Sequence, residues 1–166
     1  MKNGLVFIIM ILALGAGFLV HALLVKNPAG EAGTMTPEML NEIITANASE
    51  VKDDGRVWEF QVSGVAMACI IDPNHDRMRI IAPILEADKL LEKHRKIMLE
   101  SNYHNALDAR YATSNGIVYS VFIHPFSSLD EKQLKSAMRQ VSELAKTFGT
   151  TYSSGELSFG AQGTDL

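Results

Sequence analysis

A chain of 166 residues, 47% hydrophobic and 20% charged, has room for one folded domain and a further segment. Its single cysteine excludes an internal disulfide, a CxxC redox pair and a cysteine-rich zinc site. A net charge of −4 argues against a nucleic-acid binder that works by neutralising phosphates.

The first feature along the chain is an apolar run, LVFIIMILALGAGFLVHALLV, which begins at Leu5, ends at Val25 and contains no Asp, Glu, Lys or Arg. About 20 apolar residues match the hydrocarbon thickness of a bilayer. In lipid such a run must satisfy its own backbone hydrogen bonds, so it is expected to be helical. It is longer than the apolar core of a cleaved signal peptide. Residues 1–26 therefore read as an N-terminal membrane anchor, with a cleaved, secreted form as the alternative. Entry by an N-terminal apolar segment favours an exported, periplasmic placement for the rest of the chain. All 19 acidic residues lie beyond residue 26, leaving an acidic domain of ordinary polarity. Residues 27–35, rich in Pro, Gly, Ala and Thr, read as a linker. Residues 150–166 read as a flexible Gly/Ser/Thr-rich tail with a short strand at 156–159.

Between linker and tail the elements come in a clear order. Thr36-Pro37-Glu38 is a helix start: an N-cap hydroxyl, a proline fit for the first turn and an acid at the positive end of the helix. Met39, Leu40, Ile43 and Ile44 give the helix an apolar face, and it is expected to fade over 46–49. Asp53-Asp54-Gly55 is a turn. Residues 57–62 alternate as a half-buried strand, with Trp58, Phe60 and Val62 on one face. Ser63-Gly64 turns the chain into an apolar strand over 65–71. The turn at 72–76 leads to a third strand over 77–81, which Pro83 is expected to stop. Connections this short make the three strands an antiparallel meander.

A second helix is expected over 86–100, with Ala87, Leu90, Leu91, His94, Ile97 and Met98 on one side, followed by a loop to Asp108. Strands at 109–113 and 117–124 flank the hairpin signal Ser114-Asn115-Gly116. The last helix comes after Asp130. Its stripe of Leu134, Ala137, Met138, Val141, Leu144, Ala145 and Phe148 ends before Gly149, a fitting C-cap. Helix, three strands, helix, two strands, helix is an α+β order, with an antiparallel sheet carrying its helices on one face. The domain spans 36–149.

No residue set stands out as catalytic. Cys69, amid Val65, Met67 and Ile71, reads as a buried inert thiol. The five histidines lack metal-ligand spacing on a helix. Asp72, His75 and Asp76 read as an ordinary turn rather than a cation site. There is no GxSxG elbow and no glycine-rich phosphate loop, and Lys93–Lys96 reads as a solvated helix face. The chain reads as non-enzymatic, with no cofactor and no metal. An open sheet face or edge strand is where an extended peptide binds. The aromatic residues Trp58, Phe60, Tyr119 and Phe122 are the candidate partner-binding residues. A small-ligand or lipid-binding domain is the alternative, with a cavity lined by Met67, Ile80, Leu91 and Met138.

The stretch MLESNYHNALDARYATSNGIVYSVFIHPFSSLDEKQLKSAMRQVSELAKTF places Asn102 in the loop after the second helix. It puts Gly116 in the hairpin turn, and Pro125 after the last strand with Leu129 behind it. In this, and in the element order over 36–149, the chain resembles the YbjN family and the related type III secretion (Tir) chaperones. The resemblance implies a chaperone-like α+β fold and a non-catalytic, protein-binding, homodimeric module. With the apolar run, the expectation is a membrane-tethered adaptor or chaperone-like protein that holds a protein or peptide segment.

Overall fold

The computed structural model describes residues 34–155. The expected membrane helix over 5–25 and the expected strand over 156–159 lie outside them. Among the described residues no helix is long and apolar enough to cross a membrane.

The N-cap reading at Thr36 holds. Its Oγ1 accepts from the Met39 N–H at 3.3 Å and opens α1 (Pro37–Asn47), which buries Leu40 and Ile44. Met35, within the expected linker, is buried and its N–H donates to Ser127 O at 3.2 Å.

The chain then enters a strand the sequence did not announce, β1 (Ser49–Asp53), paired antiparallel with β2 (Val57–Val62). SEVKD carries one apolar residue, Val51, so it has no alternation to read. The turn defines it instead. Asp54 Oδ1 accepts from the N–H groups of Arg56 and Val57, at 3.0 and 2.8 Å, and these bonds hold its carboxyl below the usual range. The order is thus helix, four strands, helix, two strands, helix.

Next come β3 (Val65–Asp72), β4 (Arg77–Glu86), α2 (Glu92–His104), β5 (Arg110–Ser114), β6 (Ile117–His124) and α3 (Glu131–Lys146). The hairpin turns at Ser63-Gly64 and Asn115-Gly116 have both residues at positive φ (52° and 79°, 48° and 76°), the geometry that matches strand twist. Strand β4 runs through Pro83, against expectation. The register shifts between Pro83 and Leu85, and at a bulge a missing N–H is tolerated. The longer strand delays α2, which starts at Glu92 and runs on to His104 through the expected loop. Leu90 and Met98 are buried as expected, but Leu91 and Ile97 are exposed.

The six strands form one antiparallel sheet in the order β1-β2-β3-β4-β6-β5. Helix α3 lies across it, meeting β2 through β6, while α1 packs on β1, β2 and α3. A capping box starts α3, with Gln133 N–H to Asp130 Oδ1 at 2.7 Å and Asp130 N–H to Gln133 Oε1 at 2.9 Å. Its stripe of Leu134, Ala137, Met138, Val141 and Leu144 is fully buried, against Trp58, Phe60, Met67, Cys69, Ile71, Met78, Ile80, Val118 and Phe122 in the same core. Side chains of this kind contribute roughly 1.5–3 kcal/mol each on burial, against about 0–1 kcal/mol for an exposed ion pair such as Glu131–Lys135. The core therefore holds the fold.

Residues 150–155 pack against the rest of the domain. Tyr152 and Ser154 are buried. Ser101 Oγ donates to Tyr152 O, Ser154 N–H to Asn105 O at 3.1 Å, and Ser154 Oγ to Ala106 O at 2.5 Å. The Tyr152 ring meets Tyr111, Phe148 and His94 edge-on. Truncation after Gly149 is expected to lower stability by about 3 kcal/mol, in the range of losing a large buried aromatic. Urea denaturation measures it, and an unchanged midpoint would mean the segment does not dock in solution. Ser120 Oγ is buried without a hydrogen-bond partner. Ser120→Ala is expected to raise stability by about 1 kcal/mol by removing an unsatisfied hydroxyl, read from the same unfolding curves.

Candidate functional site

Strand alternation divides the sheet's side chains between two faces, and among the described residues the helices cover one of them. Trp58, Phe60 and Phe122 fall on the covered face, at 1%, 2% and 7% exposure. Register explains it. Trp58 stands beside Cys69, Cys69 beside Ile80 and Ile80 beside Phe122, one row under the helices. The indole N–H of Trp58 donates to Asn41 Oδ1 of α1 at 3.1 Å. These three aromatics are largely buried, although Phe60 also lines the depression described below and Phe122 a second one beside α3. Tyr119 is the one of the four on the open face.

The neighbouring row crosses the uncovered face from edge to edge: Lys52, Glu59, Ala68, Ile81, Val121 and Arg110. Its ends are charged and its middle is apolar. Rows to either side add Val57, Ile70, Arg79 and Ile123, and Gln61 with Ala66, and Pro83 with Tyr119. Ala66 and Ala68 are small, so the surface dips above them. The depression has a volume of about 390 Å³. Ala66, Ala68 and Ile81 form its floor, Pro83 and Tyr119 stand on one side, and Glu50, Lys52, Glu59 and Gln61 on the other. Ile123, at 58% exposure, lies on the same face beyond it. The floor of the depression is apolar and its rim charged. Sequence reasoning missed Ala66, Ala68, Ile81 and Pro83. The signal was their parity: in β3 and β4 they fall out of phase with the large core residues.

The remaining candidates have structural partners. Asp72 Oδ2 lies 2.7 Å from His75 Nδ1, and hydrogen bonds from His75 hold the Asp72 carboxyl low. The Asp76 carboxylate accepts from Ser127 N–H at 2.6 Å and Ser127 Oγ–H at 3.0 Å. Among the described residues no group of three or more His, Cys, Asp or Glu is placed to hold a metal ion. On α2, Arg95 and Lys96 pair with Glu92 and Glu100, while His94 turns inward to Phe148, ring centroids 5.4 Å apart. Of the four residues offered for a ligand cavity, Met67, Ile80 and Met138 belong to the core and Leu91, at 56% exposure, does not join them. Burial pushes the Cys69 thiol up to about 12, so it stays protonated and a poor nucleophile. Cys69 is expected to resist a thiol-reactive disulfide reagent at pH 8 in the native state and to react at once in guanidinium. Native labelling at the rate of a free thiol would mean that β3 opens.

No protein family and no curated protein matches the chain. Solved structures do. A chain of the HopA1–SchA chaperone–effector complex superposes with a TM-score of 0.53 at 13% identity, over 67% of this chain and 90% of that one. A chain of the ExsC–ExsE complex does so with a TM-score of 0.51 at 12% identity, over 66% and 87%. At these identities the likeness is one of fold, and the fold is that expected from the resemblance to secretion chaperones.

Proposed function

We propose that this protein is a non-catalytic, chaperone-like module that holds a segment of a partner protein on the open face of its sheet. The observation that carries the reading is the uncovered face itself: a small-residue floor at Ala66 and Ala68 between Tyr119 and a charged rim. Small side chains let a partner's backbone approach closely. The apolar middle and charged ends of the Lys52-to-Arg110 row give it both burial and orientation. The fold shared with chains from complexes described as chaperone–effector and ExsC–ExsE supports the same reading. Homodimerisation and kinship with the YbjN family belong to the proposal, the latter on the positions of Asn102, Gly116 and Pro125. So does tethering through the apolar run from Leu5 to Val25, with the domain on the exported side. The run's length is its support, and resistance to carbonate extraction is its test.

The face is tested by placing a photo-crosslinking residue at position 68 and, as a control, at exposed position 139 on α3 in the full-length protein. The expected result is one crosslinked protein near stoichiometry at 68 and none at 139. Ala68→Arg is expected to lower partner recovery at least tenfold, a loss of about 1.4 kcal/mol or more, with the unfolding midpoint nearly unchanged. Equal recovery from both crosslinker positions, or an unaffected Ala68→Arg variant, would remove this face from the reading.

A further inference from the structure

A sheet with two edges must deal with both, because an unpaired strand invites another strand to add. At β1 the devices are familiar ones: acidic and basic side chains along SEVKD, a register shift between Ser49 and Lys52, and a left-handed residue at Glu50 (φ 54°). Strand β5, RYATS, has one charged residue, Arg110, and no register shift. Its outward-facing backbone groups are met in another way.

In an antiparallel ladder, alternate residues bond to the neighbouring strand and the others face away. Tyr111 faces away from β6, and a single side chain meets both of its backbone groups. Asn102 Oδ1 accepts from Tyr111 N–H at 2.7 Å, and Asn102 Nδ2 donates to Tyr111 O at 3.2 Å. Two residues earlier, the Ala109 N–H donates to Gln140 Oε1 at 3.2 Å. Gln140 is buried and fixed in turn by Asp108 Oδ2 and Ser136 Oγ. A carboxamide is chemically a peptide group, so these two side chains, from α2 and α3, present what a seventh strand would present. By alternation, the next outward pair belongs to Thr113, which is exposed.

We infer that Asn102 is a strand surrogate: its carboxamide closes the β5 edge against pairing with β5 of a second copy of this chain. The inference stands apart from the open-face reading, since an edge and a face are different surfaces. It also assigns a use to an asparagine that the sequence singles out only by its position after the second helix.

The test uses the full-length protein in detergent and compares each variant with the wild type's own assembly state. Asn102→Leu keeps the bulk and removes both bonds. In dilute solution the Tyr111 amide is expected to exchange about tenfold faster, the loss of one net hydrogen bond. On concentration the variant is expected to gain mass by sedimentation while protection returns at Tyr111 and appears at Thr113. Thr113→Pro removes the next outward donor, a position where proline suits an edge strand. Added to Asn102→Leu, it is expected to abolish the association. If Asn102→Leu does not fold by circular dichroism, Asn102→Ser, which keeps a small polar group, carries the same measurements. A folded variant with unchanged mass at all concentrations would overturn the inference and leave Asn102 as an anchor for α2 only. So would association that survives Thr113→Pro.

Discussion

Everything in this fold depends on α3 lying across one face of an antiparallel sheet. Leu134, Ala137, Met138, Val141 and Leu144 form a stripe at helical spacing, and the helix they define reaches β2 through β6. One amphipathic helix with α1 beside it covers one face. No further helix among the described residues is placed over the other, because α2 is drawn to the β5 edge by Met98, Ser101 and Asn102. The open face is therefore a consequence of how the helices are shared out.

The edge and the face are coupled by the same economy. Among the described residues α2, Gln140 of α3 and the segment after α3 lie at the β5 end, and the backbone groups there are met by side-chain amides and by the docked residues Tyr152 and Ser154. Tyr111 sits at the junction. Its backbone is held by Asn102, its hydroxyl donates to Leu144 O at 2.8 Å, and its ring meets Phe148 and Tyr152. Burial holds that phenol well above the usual range, so it remains a donor throughout. At the β5 edge the outward groups of Ala109 and Tyr111 are thus met, and exposed Thr113 lies beyond them.

Much of the fold was legible in residues whose local chemistry agrees with their tertiary setting. Thr36 caps its helix because its side chain reaches the N–H of Met39. Asn115-Gly116 turns because both residues accept positive φ. The α3 stripe is buried because no other arrangement hides five apolar side chains at once. Where local signal was weak, tertiary pairing decided. Strand β1 has only Val51 to mark it, and β4 outruns Pro83 by means of a bulge no composition rule records. The candidate site was legible in part. Alternation puts Trp58 with Phe60 in β2 and sets Phe122 apart from Tyr119 in β6, but only the register relates the two strands and only the packing says which face the helices cover.

The amino-acid sequence by itself determined most of the elements, though not β1 or the bounds of β4 and α2, together with their antiparallel meander and hairpin, the inert character of Cys69 and the α+β class, because these depend on side-chain periodicity and turn chemistry over a few residues. Only the tertiary structure decided which sheet face is buried, that residues 150–155 dock, and that Asn102 and Gln140 meet the β5 edge. Those depend on groups such as Asn102 and Tyr111, or Ser101 and Tyr152, that are distant in the chain and meet only when α2 and α3 are in place. A residue's parity in a strand is written in the sequence. Which parity faces water is written in the packing.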